Sequence, residues 1–219
     1  MTALRRFISD PNLGDAKVSV LRGYASTDDH DQAFIDTWLK SVPHDEVIVY
    51  LLGDCSKGGL EAENRAWEIL AGLPGRKRKV SGNHCRDHPM HSGWSGRMRE
   101  AMDHFESVTI ADEINIDGRQ VMLSHFPYRG DHEHTGERNV KWRLRDEGQW
   151  LVHGHVHDEW KIHGRQINVG WEMWPDQFAT EKDILAIINE TELRENQAKN
   201  AAVAAQHRVA RASGLLLPR

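Results

Sequence analysis

The chain contains the run Leu151-Val152-His153-Gly154-His155-Val156-His157, in which two of the three histidines, His155 and His157, follow the glycine that ends a mainly apolar segment. Aliphatic and β-branched residues before a glycine are typical of a short buried strand. In an extended chain, residues two apart point to the same side, so His155 and His157 present their imidazoles together. Imidazole is a common metal ligand. The run therefore predicts a strand that ends in part of a metal site.

Two imidazoles alone hold a metal weakly, so further ligands are expected at the ends of other strands. Four more short apolar segments end in suitable residues. Residues 7–9 lead to Asp10 and Asn12, residues 47–52 to Asp54, residues 79–81 to Gly82-Asn83-His84, and residues 121–124 to His125. Five strand ends are thus predicted to converge on one site.

At these positions the sequence resembles the calcineurin-like metallophosphoesterases, whose blocks follow the order Asp-x-His, Gly-Asp, Gly-Asn-His, a lone His and Gly-His-x-His. The resemblance runs from about residue 7 to about residue 174 and is closest to the small single-domain branch of bacteria and phages. Two blocks carry that comparison, Ser9-Asp10-Pro11-Asn12-Leu13-Gly14-Asp15 and Ser124-His125-Phe126-Pro127. One block alone arises by chance, whereas five in order are specific.

The resemblance implies a role for each block residue. Asp54 would bridge two divalent metal ions. The first ion would be completed by Asp10, Asn12 and His157, and the second by Asn83, His125 and His155. Oxygen and nitrogen ligands suit manganese, iron or zinc better than calcium, and manganese is the ion we expect. His84 would be catalytic, stabilising the phosphate or protonating the leaving oxygen while a metal-bound hydroxide attacks.

Three residues depart from the family pattern. Asn12 replaces an imidazole by an amide, so the first metal is expected to be weakly held or absent. Asp15 replaces a second histidine. Cys85 stands where an acidic residue usually follows Gly-Asn-His, and Asp87 is the alternative acidic residue.

Length and pattern predict one α/β domain. The 219 residues are enough for one well-buried core but too few for two such domains of typical size. Residues 47–52 are apolar without alternation, as expected of a central strand covered on both faces. Residues 59–72 have helical spacing, and Asp117-Gly118 indicates a tight hairpin turn. The resemblance implies a four-layer αββα sandwich, in which two mixed β-sheets are flanked by helices.

We divide the chain into a metallophosphoesterase domain, residues 1–178, and a helical tail, residues 179–219. The helical composition of the tail extends from Glu181 to Ala212. We expect the tail either to pack, on the domain or on another copy in a homo-oligomer, or to form a partly frayed helix. Residues 128–148 lack clear periodicity and are expected to form a loop over the site. The basic run Arg76-Lys77-Arg78-Lys79 is expected to be a solvated rim.

Charge and cysteine content restrict the classes of partner and compartment. The formal net charge of -5 argues against a protein built to wrap duplex DNA. Bound divalent ions would neutralise the charge of the ligand carboxylates, so the net negative charge does not exclude a phosphate substrate. The two cysteines, Cys55 and Cys85, favour a reducing cytosol. No apolar run reaches the ~20 residues that a membrane helix needs, so we expect a cytoplasmic protein without a membrane partner.

The expected activity is hydrolysis of nucleotide-type phosphodiesters, with 2′,3′-cyclic nucleotides as candidate substrates. A nuclease acting on nucleic acid and a phosphoprotein phosphatase would use the same metal site, and the sequence does not separate these alternatives. A binding module that has lost catalysis is the alternative from another class. Asn12 favours that alternative, whereas the retained His84 opposes it.

Overall fold

The computed structural model describes residues 4–133 and 136–212. The strands are β1 (Arg5–Ile8), β2 (Ile48–Leu51), β3 (Arg76–Val80), β4 (Ser107–Thr109), β5 (Ala111–Ile116), β6 (Arg119–Ser124), β7 (His132–Glu133), β8 (Gly136–Glu137), β9 (Trp150–His153), β10 (Ile162–His163), β11 (Gln166–Asn168) and β12 (Ala179–Thr180). The α-helices are α1 (Ala16–Leu21), α2 (Thr27–Ser41), α3 (Leu60–Ala71), α4 (Trp94–Ala101) and α5 (Glu181–Ala212), and short 3-10 helices cover Val140–Trp142 and Trp171–Met173.

Two sheets of five strands form the centre of the molecule. The first has the order β12-β1-β2-β3-β4, and its strands are parallel except for β12. The second has the order β10-β11-β9-β6-β5, with a parallel centre and antiparallel edge strands. Strands β7 and β8 form a separate hairpin. Two mixed sheets flanked by helices confirm the predicted αββα class.

Strand β2 divides its neighbouring side chains between two apolar cores. Val49 and Leu51 pack with Trp38 and Trp67 in the core between the first sheet and helices α2 to α4. Tyr50 and its alternate neighbours belong to the second core, which also contains apolar residues of β6, β9 and α5. Because successive residues of a strand point to opposite faces, burial on both faces removes any polar alternation. The prediction of a doubly covered central strand is confirmed.

The predicted helix between Gly59 and Gly72 is α3, and these two glycines are its N-cap and C-cap. The hairpin turn at Asp117-Gly118 joins β5 to β6, with both residues at positive φ. Helix α2 begins at Thr27. Its N-cap is Ser26, whose hydroxyl accepts a hydrogen bond from the Asp29 amide at 3.1 Å, so Asp29 lies inside the helix and does not cap it.

The basic run on β3 is only half solvated, so the rim prediction is wrong for two of its four residues. Arg76 and Arg78 form ion pairs with Glu106 at 2.7 and 2.8 Å near the surface. Lys77 and Lys79 point the other way and are buried, with exposed fractions of 7% and 1%. Strand alternation sends every second residue inward whatever its charge, and inside the molecule each lysine finds polar partners.

Helix α5 has the bounds predicted for the helical part of the tail and contains 32 residues. Its first turns pack on the second core through Ile184 and Ile188, and the preceding β12 pairs with β1. Residues 213–219 of the tail lie outside the described residues. The division at residue 178 and association with another copy stay predictions. Within residues 4–133 and 136–212, no helix is long and apolar enough to cross a membrane.

Candidate metal centre

Neighbouring parallel strands bring the predicted ligands to one end of the two sheets. In the first sheet, β1, β2 and β3 are adjacent and lead to Asp10, Asp54 and Asn83, respectively. In the second sheet, β6 and β9 are adjacent and lead to His125 and His155. The carboxyl ends of parallel strands lie at the same edge of a sheet, which is where open α/β sheets bind ligands.

Backbone contacts hold the two sheets together at this edge. The amide of Ser9, after β1 of the first sheet, donates to the carbonyl of Val169, after β11 of the second sheet, at 2.9 Å. A Cβ on Gly154 would overlap both Ser9 and Asp10, so only glycine allows the two strand ends to approach this closely. The His155 amide then donates to Asp10 Oδ2 at 2.8 Å.

The backbone around the site is unusual. Asp10, Asn12, Asp54, His155 and His157 all have positive φ, between 46° and 73°. Among the described residues other than glycine, only Asp117 and Asn139 share this conformation. Positive φ is uncommon outside glycine and concentrates at functional sites, where surrounding contacts offset the strain. The clustering of positive φ values therefore indicates a functional site at this edge, independently of the sequence motifs.

The residues predicted for the second metal lie together. Asp54, His125 and His155 each offer a ligand atom, and these three atoms lie within 4.8 Å of one another. Asn83 Oδ1 is 3.1 Å from His125 Nε2. The His125 Nδ1–H donates to the Leu52 carbonyl at 2.7 Å, which leaves Nε2 facing Asp54 Oδ2 at 3.2 Å. Such an outer hydrogen bond fixes the orientation of a metal-binding imidazole.

Asp54 and His125 also perturb each other's titration. Burial alone would raise the pKa of Asp54, but the charge and hydrogen bond of His125 outweigh burial and hold it well below its ordinary value. Burial alone would lower the pKa of His125, but the Asp54 carboxylate outweighs it and raises the pKa of His125 to about 9. Asp54 and His125 thus form a buried charged pair, at the position where a bound cation would contact the Asp54 carboxylate.

The residues predicted for the first metal lie around the same edge, with fewer contacts among them. Asp10 is fully buried, and its Oδ1 has no hydrogen-bond partner within the described part of the chain. Asn12 Nδ2 donates to the Asp10 carbonyl at 3.1 Å. His157 Nδ1 donates to Glu172 Oε1 at 2.7 Å, and the Asp10 charge contributes to raising the pKa of His157 to about 9 against the effect of burial. The ligand roles of these residues stay predictions.

Sequence reasoning missed two carboxylates that hold the histidines. Glu172 accepts from His157 and from Arg22, whose Nη2 lies 2.6 Å away. Asp131 is fully buried and accepts from His155 Nε2 at 2.8 Å. Asp131 also pairs with two arginines of its own loop, Arg138 at 2.6 Å and Arg143 at 3.3 Å. Asp131 lies in a loop and Glu172 in a short 3-10 helix, and neither segment has a periodicity that marks these residues.

His84 occupies a different position from the ligands. Its backbone amide donates to Asp54 Oδ1 at 2.9 Å, while its side chain is exposed and lines a cleft of about 420 Å³. Lys17, Arg138 and His157 line the same cleft. The catalytic role of His84 stays a prediction, and its exposure beside the buried cluster is what that role requires.

A second group, Glu63, Cys85 and Asp87, is also compact enough to hold a metal. Each of its carboxylates already has a charged partner, although Asp87 Oδ1 has no hydrogen-bond partner among the described residues. Lys79 Nζ lies 2.5 Å from Asp87 Oδ2, and Arg97 Nε lies 2.7 Å from Glu63 Oε2. Burial raises the pKa of Cys85 well above its ordinary value, which keeps the thiol protonated. The Lys79 ammonium supplies the positive charge beside Asp87, and we assign no metal to this group.

Of the residues that depart from the metallophosphoesterase-like pattern, Asp15 has a structural role in this fold. Asp15 caps α1 by accepting from the amides of Lys17 and Val18. Asp87 pairs with Lys79 beneath the site, and no described hydrogen bond or ion pair joins it to His84.

The strand-end cluster fits a metal ion. The donor set combines carboxylate oxygens with imidazole nitrogens, as transition metals prefer. One buried oxygen, Asp10 Oδ1, has no partner among the described residues, which is costly without a cation nearby. His125, His155 and His157 each have one ring nitrogen held by a carbonyl or carboxylate.

Fold and site define the class of protein as an αββα sandwich with a candidate metal cluster at the strand ends. No protein-family model matches the chain. It is similar to the Gene 66 protein of Mycobacterium phage D29, with 37% identity over 195 residues, covering 85% of this chain and 96% of the relative. It is also similar to the Gene 66 protein of Mycobacterium phage L5, with 33% identity over 195 residues, covering 84% and 93%. The chain belongs to the family of these mycobacteriophage gene 66 proteins.

One solved structure supports the fold. The crystal structure of AQ665, a protein of unknown function from Aquifex aeolicus, aligns with a TM-score of 0.62 and 23% identity. The alignment covers 85% of this chain and 100% of that chain. At this level of identity the likeness concerns the fold alone.

Proposed function

We propose that this protein is a metal-dependent phosphodiesterase that hydrolyses nucleotide-type phosphodiesters. The observation that carries the proposal is the buried cluster of Asp54, His125 and His155, with the unpartnered Asp10 oxygen beside it and the exposed His84 at its rim. The resemblance of the five sequence blocks to calcineurin-like metallophosphoesterases supports the same chemistry.

Bound metal ions would give the cleft its attraction for a phosphate. Divalent ions held by the cluster would neutralise charge on the phosphoryl group and supply a nucleophile at neutral pH. Lys17 and Arg138 line the cleft, but Asp15, Asp158 and Glu172 balance the basic side chains, so the lining alone adds no net positive charge. His84 would stabilise the phosphate or donate a proton to the leaving oxygen. Its backbone bond to Asp54 ties its position to the cluster.

We expect two divalent ions, with manganese more suitable than iron or zinc. Asp54 would be shared between them. The ion beside Asp10, Asn12 and His157 would be held more weakly, because an amide is a poorer ligand than imidazole for these metals. The Asn12 side-chain amide also donates a hydrogen bond to the Asp10 carbonyl.

The other functions considered from the sequence would use the same cluster. A nuclease and a phosphoprotein phosphatase differ in the group attached to the phosphate, and a binding module would keep the fold without turnover. The exposed His84 and the buried, unpartnered Asp10 oxygen favour an enzyme over a binding module.

The test is hydrolysis of bis(4-nitrophenyl) phosphate and 4-nitrophenyl phosphate by protein stripped with chelator and then supplied with manganese, iron or zinc. We expect no turnover in chelator, recovery with manganese and preference for the diester. Asp54→Asn should abolish activity and metal binding, whereas the exposed control Asp176→Asn should keep both. Full activity after verified removal of metal would contradict the proposal.

A further inference from the structure

A second cleft adjoins the one that contains His84. Its volume is about 630 Å³, within the range of ~300–1,000 Å³ typical of small-molecule sites. It lies between the turn after Asn12, the start of α2, and the loop and first turns of α3. Its lining includes Leu13, Lys57, Gly58, Leu60, Ala62 and Arg65. We call this cleft the α3 groove.

The α3 groove lies beside the cleft of His84. Gly58 lines the groove, and a Cβ built on it would lie 3.2 Å from the His84 carbonyl oxygen and 3.5 Å from His84 Nδ1. Gly14 lines the groove, while the next residue, Asp15, lines the cleft. His84 therefore stands between the groove and the cleft, and a phosphate in contact with its side chain would lie close to both.

The groove is positioned by the loops that carry two proposed ligands. Leu13 directly follows Asn12, and its amide donates to the Cys55 carbonyl at 2.9 Å. Leu13 also forms an isolated parallel bridge with Ser56, two residues after Asp54. The floor of the groove is thus fixed relative to the metal cluster, as a substrate subsite must be.

The side chains of the groove favour an uncharged occupant. Lys57 and Arg65 are balanced by Asp28 and Glu61, and Arg65 is already paired with Asp31 at 2.6 Å. Balanced charge gives no net attraction for a chain of phosphates. Apolar surface is available instead at Leu60, which is 54% exposed, whereas Leu13 lies in the lining with an exposed fraction of only 1%.

We infer that the α3 groove binds the second organic group of an extended phosphodiester, so that the substrate is a dinucleoside monophosphate with its phosphate at His84 and one uncharged nucleoside in the groove. A 2′,3′-cyclic nucleotide closes its phosphate onto a single sugar and leaves the groove unused. This inference rests on the proposed function and narrows its substrate class.

Two variants in the groove test the inference. Leu60→Ala removes apolar contact, and Ala62→Trp fills the space. Each should lower kcat/KM for a dinucleoside monophosphate about 10-fold and leave kcat/KM for a 2′,3′-cyclic nucleotide unchanged. The matched control is Leu39→Ala, a leucine that is 50% exposed near the other end of α2 and outside the groove lining. It should change neither value.

A binding measurement separates failure of the groove from failure of the proposed function. His84→Ala protein is expected to keep its metal and turn over slowly, so calorimetry can measure its Kd for the dinucleoside monophosphate. Adding Ala62→Trp should weaken that Kd about 10-fold. An unchanged Kd, or unchanged dinucleoside kinetics in an enzyme that hydrolyses the cyclic nucleotide, overturns the groove assignment alone. No hydrolysis of any diester by metal-loaded wild type overturns the proposed function and this inference together.

Discussion

Glu172 Oε1 lies 2.7 Å from His157 Nδ1, so the imidazole is held by one ring nitrogen and the other is left for a ligand. His155 is held in a comparable way, by Asp131 Oδ2 at 2.8 Å from Nε2. Each carboxylate is itself fixed by arginine. A carboxylate behind a metal-binding histidine orients the ring and raises its basicity. Both histidines of the Gly-His-x-His block have this support.

Glu172→Gln tests the support behind His157. The amide keeps the shape of the side chain but loses the charge, so the ring becomes a weaker ligand. We expect metal affinity at the first site to fall about 10- to 100-fold. The measurement is a manganese titration of activity together with bound metal at equilibrium. Glu159→Gln, an exposed control two residues from His157, should leave the midpoint unchanged, and an equal effect of both variants would exclude a specific role for Glu172.

The pair of Glu172 and His157 predicts that the stability of the metal-free protein depends on pH. Burial would raise the pKa of Glu172, but the His157 hydrogen bond and Arg22 outweigh it and lower the pKa to about 2 from 4.5. The pKa of His157 is raised to about 9 from 6.5. The contribution of Glu172 to stability is present above pH 4.5 and is lost as the pH falls toward 2. The contribution of His157 to stability is present below pH 6.5 and is lost as the pH rises toward 9.

Urea unfolding in chelator measures this dependence. The stability difference between wild type and Glu172→Gln should be largest near about pH 5.5 and smaller near about pH 3 and about pH 9. A constant difference across this range would show that the pair is not ionised as described.

His84→Ala and His155→Ala separate the catalytic role from the ligand role. Loss of His84 should lower turnover about 10²- to 10⁴-fold with nearly unchanged metal content, because the side chain is exposed at the rim of the buried cluster. Loss of His155 should lower metal content itself. Elemental analysis of both purified variants checks this, and equal metal loss in the two would refute the assignment.

Asn12→His tests the position at which Asn12 departs from the metallophosphoesterase-like sequence pattern. An imidazole at residue 12 should tighten the first metal, so less manganese is needed for half-maximal activity. Maximal rate should rise slightly or fall, because the site is shaped around an amide. The comparison variant is Asn12→Ala, which should shift the midpoint the other way. An unchanged midpoint in both folded variants would place residue 12 outside the coordination sphere.

Lys79→Met tests the buried pair beneath the centre. Removing the ammonium leaves the Asp87 carboxylate fully buried without its charge partner, which should lower the free energy of unfolding by about 3–5 kcal/mol. Lys79→Met combined with Asp87→Leu removes both charges and should recover much of this loss. Urea unfolding of the two variants is the measurement. A double variant no more stable than the single one would mean that the charge pair is not the cause.

The gathering of the proposed ligand residues at one edge could be predicted from the sequence, because each follows a short apolar run and strand ends meet at one edge of a sheet. The burial of residues 47–52 on both faces could be predicted because this run is apolar without alternation. Glu172 and Asp131 could not, because their positions depend on how irregular segments fold back over the sheets. Lys79 was misassigned because a run of basic residues suggests solvent, whereas strand alternation and Asp87 carry it inside.

The bond between the Ser9 amide and the Val169 carbonyl joins residues 160 positions apart in the chain. Strand β1 is likewise flanked by β12, which ends at Thr180. Contacts of such long range make folding slow, because the entropy of closing the loop is lost before any contact is gained. During synthesis, a nascent chain that ends before residue 150 contains Asp10, Asp54 and His125 but lacks β9, which leads to His155, and β11 and β12. The candidate metal centre would therefore be complete only after most of the chain has left the ribosome.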